Sequence, residues 1–95
     1  MTGEYKVIWR RQCIDGDIGG MVTAEFAAGR SSAPIAKAML EAERLLKRDP
    51  NSAGESRPEF ERILFVLPLA VFFEVHDTAR VVYIRRAHLV RRRSR

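Results

Sequence analysis

One amphipathic stripe constrains this chain more than any other feature. Ile35, Ala38, Met39, Ala42, Leu45 and Leu46 recur at helical spacing between Ser31 and Asp49, so one side of a helix is apolar and has to be buried against another element. Ser31 or Ser32 supplies the cap, Pro34 sits in the first turn, and Asp49-Pro50-Asn51 ends the helix. Glu43 and Lys47 form an i,i+4 pair on its flank. The chain has 95 residues, enough for one core and too few for a second domain.

A sheet is the partner the remaining residues offer. Tyr5 to Arg10 is rich in aromatic and β-branched types and reads as a first strand. Glu61 to Val66, Ala70 to His76 and Arg80 to about Arg86 read as a meander, with turns at Leu67-Pro68-Leu69 and Asp77-Thr78. Ahead of the clear helix, Ile14, Ile18, Met21, Val22 and Phe26 keep helical spacing over residues 14–28. Gly16, Gly19 and Gly20 each cost that helix about 1 kcal/mol against alanine, so it is expected to be the weaker one and to become regular only near Gly20. Asn51 to Pro58 is a polar loop by composition. The order β-α-α-β-β-β describes an α+β two-layer sandwich, an antiparallel meander packed on a helical hairpin. Residues 1–95 form one domain with a basic tail at about 87–95.

Turn lengths set the expected register. A three-residue turn at 67–69 pairs Val66 with Ala70, Leu64 with Phe72 and Arg62 with Glu74, matching opposite charges. A two-residue turn leaves Arg62 among Val71, Phe73 and Val75, so the longer turn is expected. A short turn at Asp77-Thr78 then pairs Phe73 with Val82 and Glu74 with Val81. Ile63, Phe65, Val71, Phe73, Val75, Val82 and Ile84 fall under the helices. The other face carries Leu64, Val66, Phe72, Val81 and Tyr83, flanked by Arg62, Glu74 and Arg85. A solvent-facing sheet side is normally polar, so this set reads as a partner or dimer interface, against the plainer alternative that the first strand, the loop or the tail folds over it.

Composition narrows the function classes. With 46% hydrophobic and 31% charged residues the chain is outside the disordered regime. Cys13 is alone, so no intrachain disulfide forms, and with no His or Cys at a motif spacing it reads as a packed or half-exposed thiol and not a reactive one. Residues 1–11 lack the apolar stretch of a signal peptide, and the longest apolar run, residues 63–73, contains Pro68 and is about half of what a spanning helix needs. A cytoplasmic location is expected. Of the net charge of +5, the segment from Arg80 onward contributes seven arginines and no acids, while the preceding 79 residues sum to −2. That run suits a nucleic-acid or ribosome contact, an acidic partner, or a solvated tail. There is no phosphate-cradling glycine loop and no metal-spaced His/Cys cluster, and Gly16-Asp17-Ile18-Gly19-Gly20 lacks dinucleotide spacing. No cofactor or metal is expected.

The element order, the Leu-Leu-Lys-Arg-Asp-Pro helix exit at 45–50 and the stretch FERILFVLPLAVFFEVHDTARVVYIRR at 60–86 resemble the RelE/ParE toxin superfamily, with ILFVLPLAVFFEV similar to the second hairpin of plasmid-stabilisation-type members. The resemblance implies the toxin of a type II toxin–antitoxin system, inhibiting growth through ribosome-dependent mRNA cleavage or through DNA gyrase, with a cognate antitoxin as partner. In the ribonuclease branch, basic residues on the meander strands and a C-terminal tyrosine or histidine act on the RNA 2′-hydroxyl and scissile phosphate, stabilising developing charge. Arg62 falls at one such position. The next falls at or near Ala70, and no tyrosine follows Tyr83. Arg62 and Arg85 are expected roughly 16 Å apart, at about 3.3 Å per residue and 4.8 Å per strand.

The resemblance therefore implies degenerate chemistry. The catalytic candidates are Arg62, Arg85, His88 and Arg91, with His88 as the acid or base; His76, at a turn entry, is a weaker one. Arg85, Arg86, Arg91, Arg92 and Arg93 are the nucleic-acid contacts. The alternative is a non-enzymatic binding module on the same fold that forms a homodimer or holds a protein or nucleic acid.

Overall fold

The computed structural model describes residues 4–53, 55–56 and 61–90, the pair 55–56 by its backbone. Strand β1 is Lys6–Trp9. Helix α1 opens with wide π turns over Cys13–Ile18 and continues as α-helix over Gly19–Ala27. Helix α2 is Ala33–Arg48. Then come the two-residue β2, Glu55–Ser56, and strands β3 Arg62–Val66, β4 Leu69–His76 and β5 Val81–Leu89. Helices packed on a sheet make this a small α+β domain.

The sheet order is β1-β5-β4-β3-β2. It is mixed, whereas the meander alone predicts an antiparallel sheet: β1 lies parallel to β5, with Lys6 beside Val81 and Trp9 beside Ile84. The other pairs are antiparallel.

Helix α2 follows its stripe. Ile35, Ala38, Ala42 and Leu46 are buried, and Met39 and Leu45 pack against them. Its start is held by the Ser31 hydroxyl, which accepts the Ala33 N–H at 3.0 Å, and by the Ser32 carbonyl, which accepts from Ile35 and Ala36. Glu43 accepts a 2.6 Å hydrogen bond from the Trp9 indole, tying α2 to β1.

Helix α1 departs from its stripe. Cys13 and Ile18 are buried, but Phe26 is 85% exposed and Glu25 is 8% exposed. The π turns explain this: their i→i+5 bonding takes more residues per turn, so positions beyond Ile18 lose the phase that a 3.6-residue period assigns. Glu25 is rotated inward and is met by Arg30, which donates to its two carboxylate oxygens at 2.9 and 3.1 Å. The weak, glycine-bearing part of the helix is where the regular geometry fails, and α-helix begins at Gly19 as the glycines suggested. Cys13 is buried, the packed one of the two states expected for it, and burial and the nearby Asp17 carboxylate push its thiol up to about 11.

Two registers differ from expectation. The β3–β4 turn has two residues, Leu67 and Pro68 joined by a cis bond, and pairs Val66 with Leu69, Leu64 with Val71 and Arg62 with Phe73. A one-residue slip exchanges the faces of a strand. Leu64 is therefore buried in the core and Val66 packs against it, while Phe65 is 52% exposed on the opposite side and Ile63, also buried, is not part of that cluster. The β4–β5 turn spans Asp77 to Arg80, with Arg80 at φ 58°, and pairs His76 with Val81 and Phe73 with Ile84. This slip is of two residues, so Val71, Phe73, Val75, Val82 and Ile84 keep the predicted side.

Candidate nucleic-acid interface

The far side of the sheet is built by a bulge. Phe73 pairs with Ile84, but Phe72 pairs with Arg86, leaving Arg85 as an extra residue in β5. Without it, Arg86 and His88 would share the side of Ile84 and point into the core. With it, Ala87 and Leu89 continue the core face and Arg86 and His88 join Tyr83 on the open one. The bulge sits where β1 stops covering β5, and Asp17 of α1 accepts the Ala87 N–H at 2.9 Å just beyond it. Strand β5 also runs to Leu89, past the expected end near Arg86. His88 thus lies within a strand.

No described helix covers this face. The Arg86 guanidinium lies over the Phe72 ring at 4.2 Å, and His88 meets the same ring edge-on at 5.3 Å. Further along, His76 and Tyr83 form a second edge-on pair at 5.1 Å. Arg85 donates to Glu74 at 2.8 Å, and Arg86 donates to Glu61 at 3.1 Å. Glu74 also lies 3.2 Å from the His76 ring. Glu74 and Glu61 are thus each matched by an arginine, and one guanidinium, that of Arg86, stands over a ring of this face.

Arg62 is not part of this group. Its expected neighbour Glu74 is replaced by Phe73, and its side chain turns to the helix side. There it donates to the Asn51 carbonyl at 2.8 Å and the Ala53 carbonyl at 3.4 Å. The objection to a two-residue turn, a cation among apolar side chains, is answered by these carbonyls at the exit of α2. Arg62 is a clasp on the loop, and its expected pairing with Glu74 is corrected.

Of the proposed partner interface, Leu64 and Val66 are likewise corrected to the core side, whereas Phe72, Val81 and Tyr83 stand on the open face. Phe65 belongs with them and was missed, because the turn length hid it. Ala70, at the second expected basic position, is registered directly opposite His88. Arg91, Arg92 and Arg93 lie outside the described residues.

Elsewhere, Asp77 accepts from Tyr5 at 2.6 Å and from Asn51 at 2.8 Å. The Tyr5 hydroxyl, then Asn51, holds its carboxyl below the usual carboxylate range. A groove of about 500 Å³ runs between α2 and the β3–β4 turn, lined by Ala38, Leu40, Val66, Leu67 and Pro68 among others. Among the described residues no group of His, Cys, Asp or Glu is placed to hold a metal ion, and no helix is long and apolar enough to cross a membrane. No family model matches this sequence, and neither a curated protein nor a solved structure matches it.

Proposed function

We propose that this domain is a RelE/ParE-type toxin module that binds single-stranded RNA on the open face of its sheet. The observation that carries the reading is the stack of Arg86 over Phe72 with His88 at the ring edge, on a face that no described helix covers. Unpaired bases offer π-faces to aromatic side chains and guanidinium planes, and phosphates attract the same cations. Duplex nucleic acid keeps its bases stacked, so a flat aromatic face favours a single strand.

Cleavage is weak or absent on this reading. Arg62 is held by loop carbonyls on the other side of the sheet, and the residue beside His88 is Ala70, which has no group to stabilise a phosphate. Of the described catalytic candidates, Arg85, bonded to Glu74, and His88, against Phe72, remain on the open face. Fluorescence anisotropy with a single-stranded RNA tests the binding, and inducible expression, scored for growth, mRNA cleavage and DNA supercoiling, tests the toxin. Absence of RNA binding at low salt sinks the RNA reading, and altered supercoiling without mRNA loss points to gyrase instead.

A protein-binding module is a second reading, favoured by the groove beside α2. Leu40 is 69% and Leu67 60% exposed along it, apolar surface suited to an antitoxin segment or a second copy of the chain. Light scattering and co-purification with the product of a neighbouring gene test it. A monomer with no co-purifying partner argues against both occupants.

A further inference from the structure

We propose that the groove at the junction of β1 and α1 is a second nucleotide subsite on the same RNA-binding face, with Arg10 and Arg11 as its phosphate contacts. It rests on the RNA reading above and extends it to residues outside the basic C-terminal segment.

The groove, about 450 Å³, is lined by Ile8, Trp9, Arg10, Arg11, Glu74, His76 and Tyr83. Its aromatic wall is the His76–Tyr83 pair of the open face. The parallel pairing of Ile8 with Tyr83 and Trp9 with Ile84 carries the end of β1 to that wall. Arg10 is anchored there by its backbone, whose N–H donates to Ile84 at 2.9 Å and whose carbonyl accepts from Cys13 and Ile14. The chain turns into α1 at this point, so two consecutive arginines are presented at the rim.

Charge distinguishes this rim from the rest of the face. Arg85 and Arg86 are each paired with a glutamate. Arg10 and Arg11 are exposed, and their side chains have no acidic partner among the described residues. The acid in the groove, Glu74, is compensated by Arg85. An anion entering here meets cations whose charge is not already matched, next to rings that can take a base. A strand seated on Phe72 and Arg86 reaches the His76 wall of this groove along β4, since Phe72 and His76 are about 13 Å apart at about 3.3 Å per residue. That span suits a short run of nucleotides.

The test uses the full chain and an oligouridine of about 12 nucleotides, within the range of about 4–16 covered by single-strand-binding folds. Affinity is read by anisotropy at about 50 and about 200 mM salt for wild type, R10A/R11A, R10K/R11K, Arg86→Ala and, as a cation on the helix side, Lys37→Ala. Each lost phosphate contact flattens the log–log salt slope by about 0.7 for a single strand. R10A/R11A is expected to bind more weakly, with a slope flatter by about 1.4 and a deficit against wild type that shrinks about sevenfold across that salt range. R10K/R11K restores the slope, Lys37→Ala leaves it unchanged, and thermal melts of all variants match wild type.

Wild-type binding that Arg86→Ala weakens but R10A/R11A does not overturns the subsite and leaves the RNA reading standing. No wild-type binding at either salt overturns both. An oligothymidine arm separates the sources of the strand: an equal loss on it supports the same phosphate contacts for single-stranded DNA, and the wild-type preference between the two says which the face selects.

Discussion

The two faces of this sheet are made by the same three long strands and differ in almost every physical respect. Beneath the helices, Leu64, Val71, Phe73, Val82, Ile84 and Ala87 are buried with the stripe of α2. On the other side, Phe72, Tyr83, His76, His88, Arg85 and Arg86 form rings and ion pairs at the surface. The first face is held by exclusion of water and close packing, and the charges at its margin, Arg62 and Glu25, each have hydrogen-bonding partners of their own. The second is held by quadrupole and charge contacts that are weak individually and remain available to a ligand. Proximity in sequence therefore says little about surroundings: Phe73 is fully buried while its neighbour Phe72 meets Arg86 and His88 on the open side.

The largest expected effect separates those two phenylalanines. Phe73 is fully buried, so Phe73→Ala should cost about 3–5 kcal/mol in denaturant unfolding. Phe72→Ala should cost much less, and equal losses would break the distinction between the faces. Next in size is ligand binding: Phe72→Ala should weaken single-stranded RNA by about 1–3 kcal/mol, the usual worth of a stacked base, with the circular dichroism spectrum unchanged.

Arg62 sharpens the comparison from the other side. As a half-buried cation hydrogen-bonded to two loop carbonyls, its loss in Arg62→Ala should cost about 1.5 kcal/mol of stability and leave RNA affinity as it was. A large fall in affinity with stability intact would group it with the residues of the open face. The smallest effect is at the margin of the sheet. Asp77 has its folded pKa lowered by Tyr5 and Asn51, so its contribution is present above the ordinary aspartate value of about 3.9 and is lost as pH falls through the folded value. Melting temperature followed from about pH 6 to about pH 3 should drop less steeply in Asp77→Asn than in wild type.

Much of the covered face was legible in the sequence. The α2 stripe from Ile35 to Leu46 needs only a 3.6-residue period. The alternation of Val71, Phe73 and Val75 needs only a period of two, and it survived the misjudged β4–β5 turn because an even slip preserves the faces. The β3 strand was lost by the opposite arithmetic. Charge matching of Arg62 with Glu74 favoured a longer turn, while Arg62 finds its acceptors at Asn51 and Ala53 and Glu74 finds Arg85, partners that no local pattern exposes.

What the sequence determined by itself is the existence of the two helices and four main strands, the identity of the α2 stripe and the concentration of arginine after Arg80. These are local properties of periodicity and composition. Tertiary structure alone decided the parallel docking of β1 on β5, the face of Leu64 and Phe65, and the bulge at Arg85 that turns Arg86 and His88 outward. The physical reason is that a one-residue offset reverses a strand's faces without altering its local pattern. Which offset wins is set by contacts distant in sequence, such as Asp17 with the Ala87 N–H.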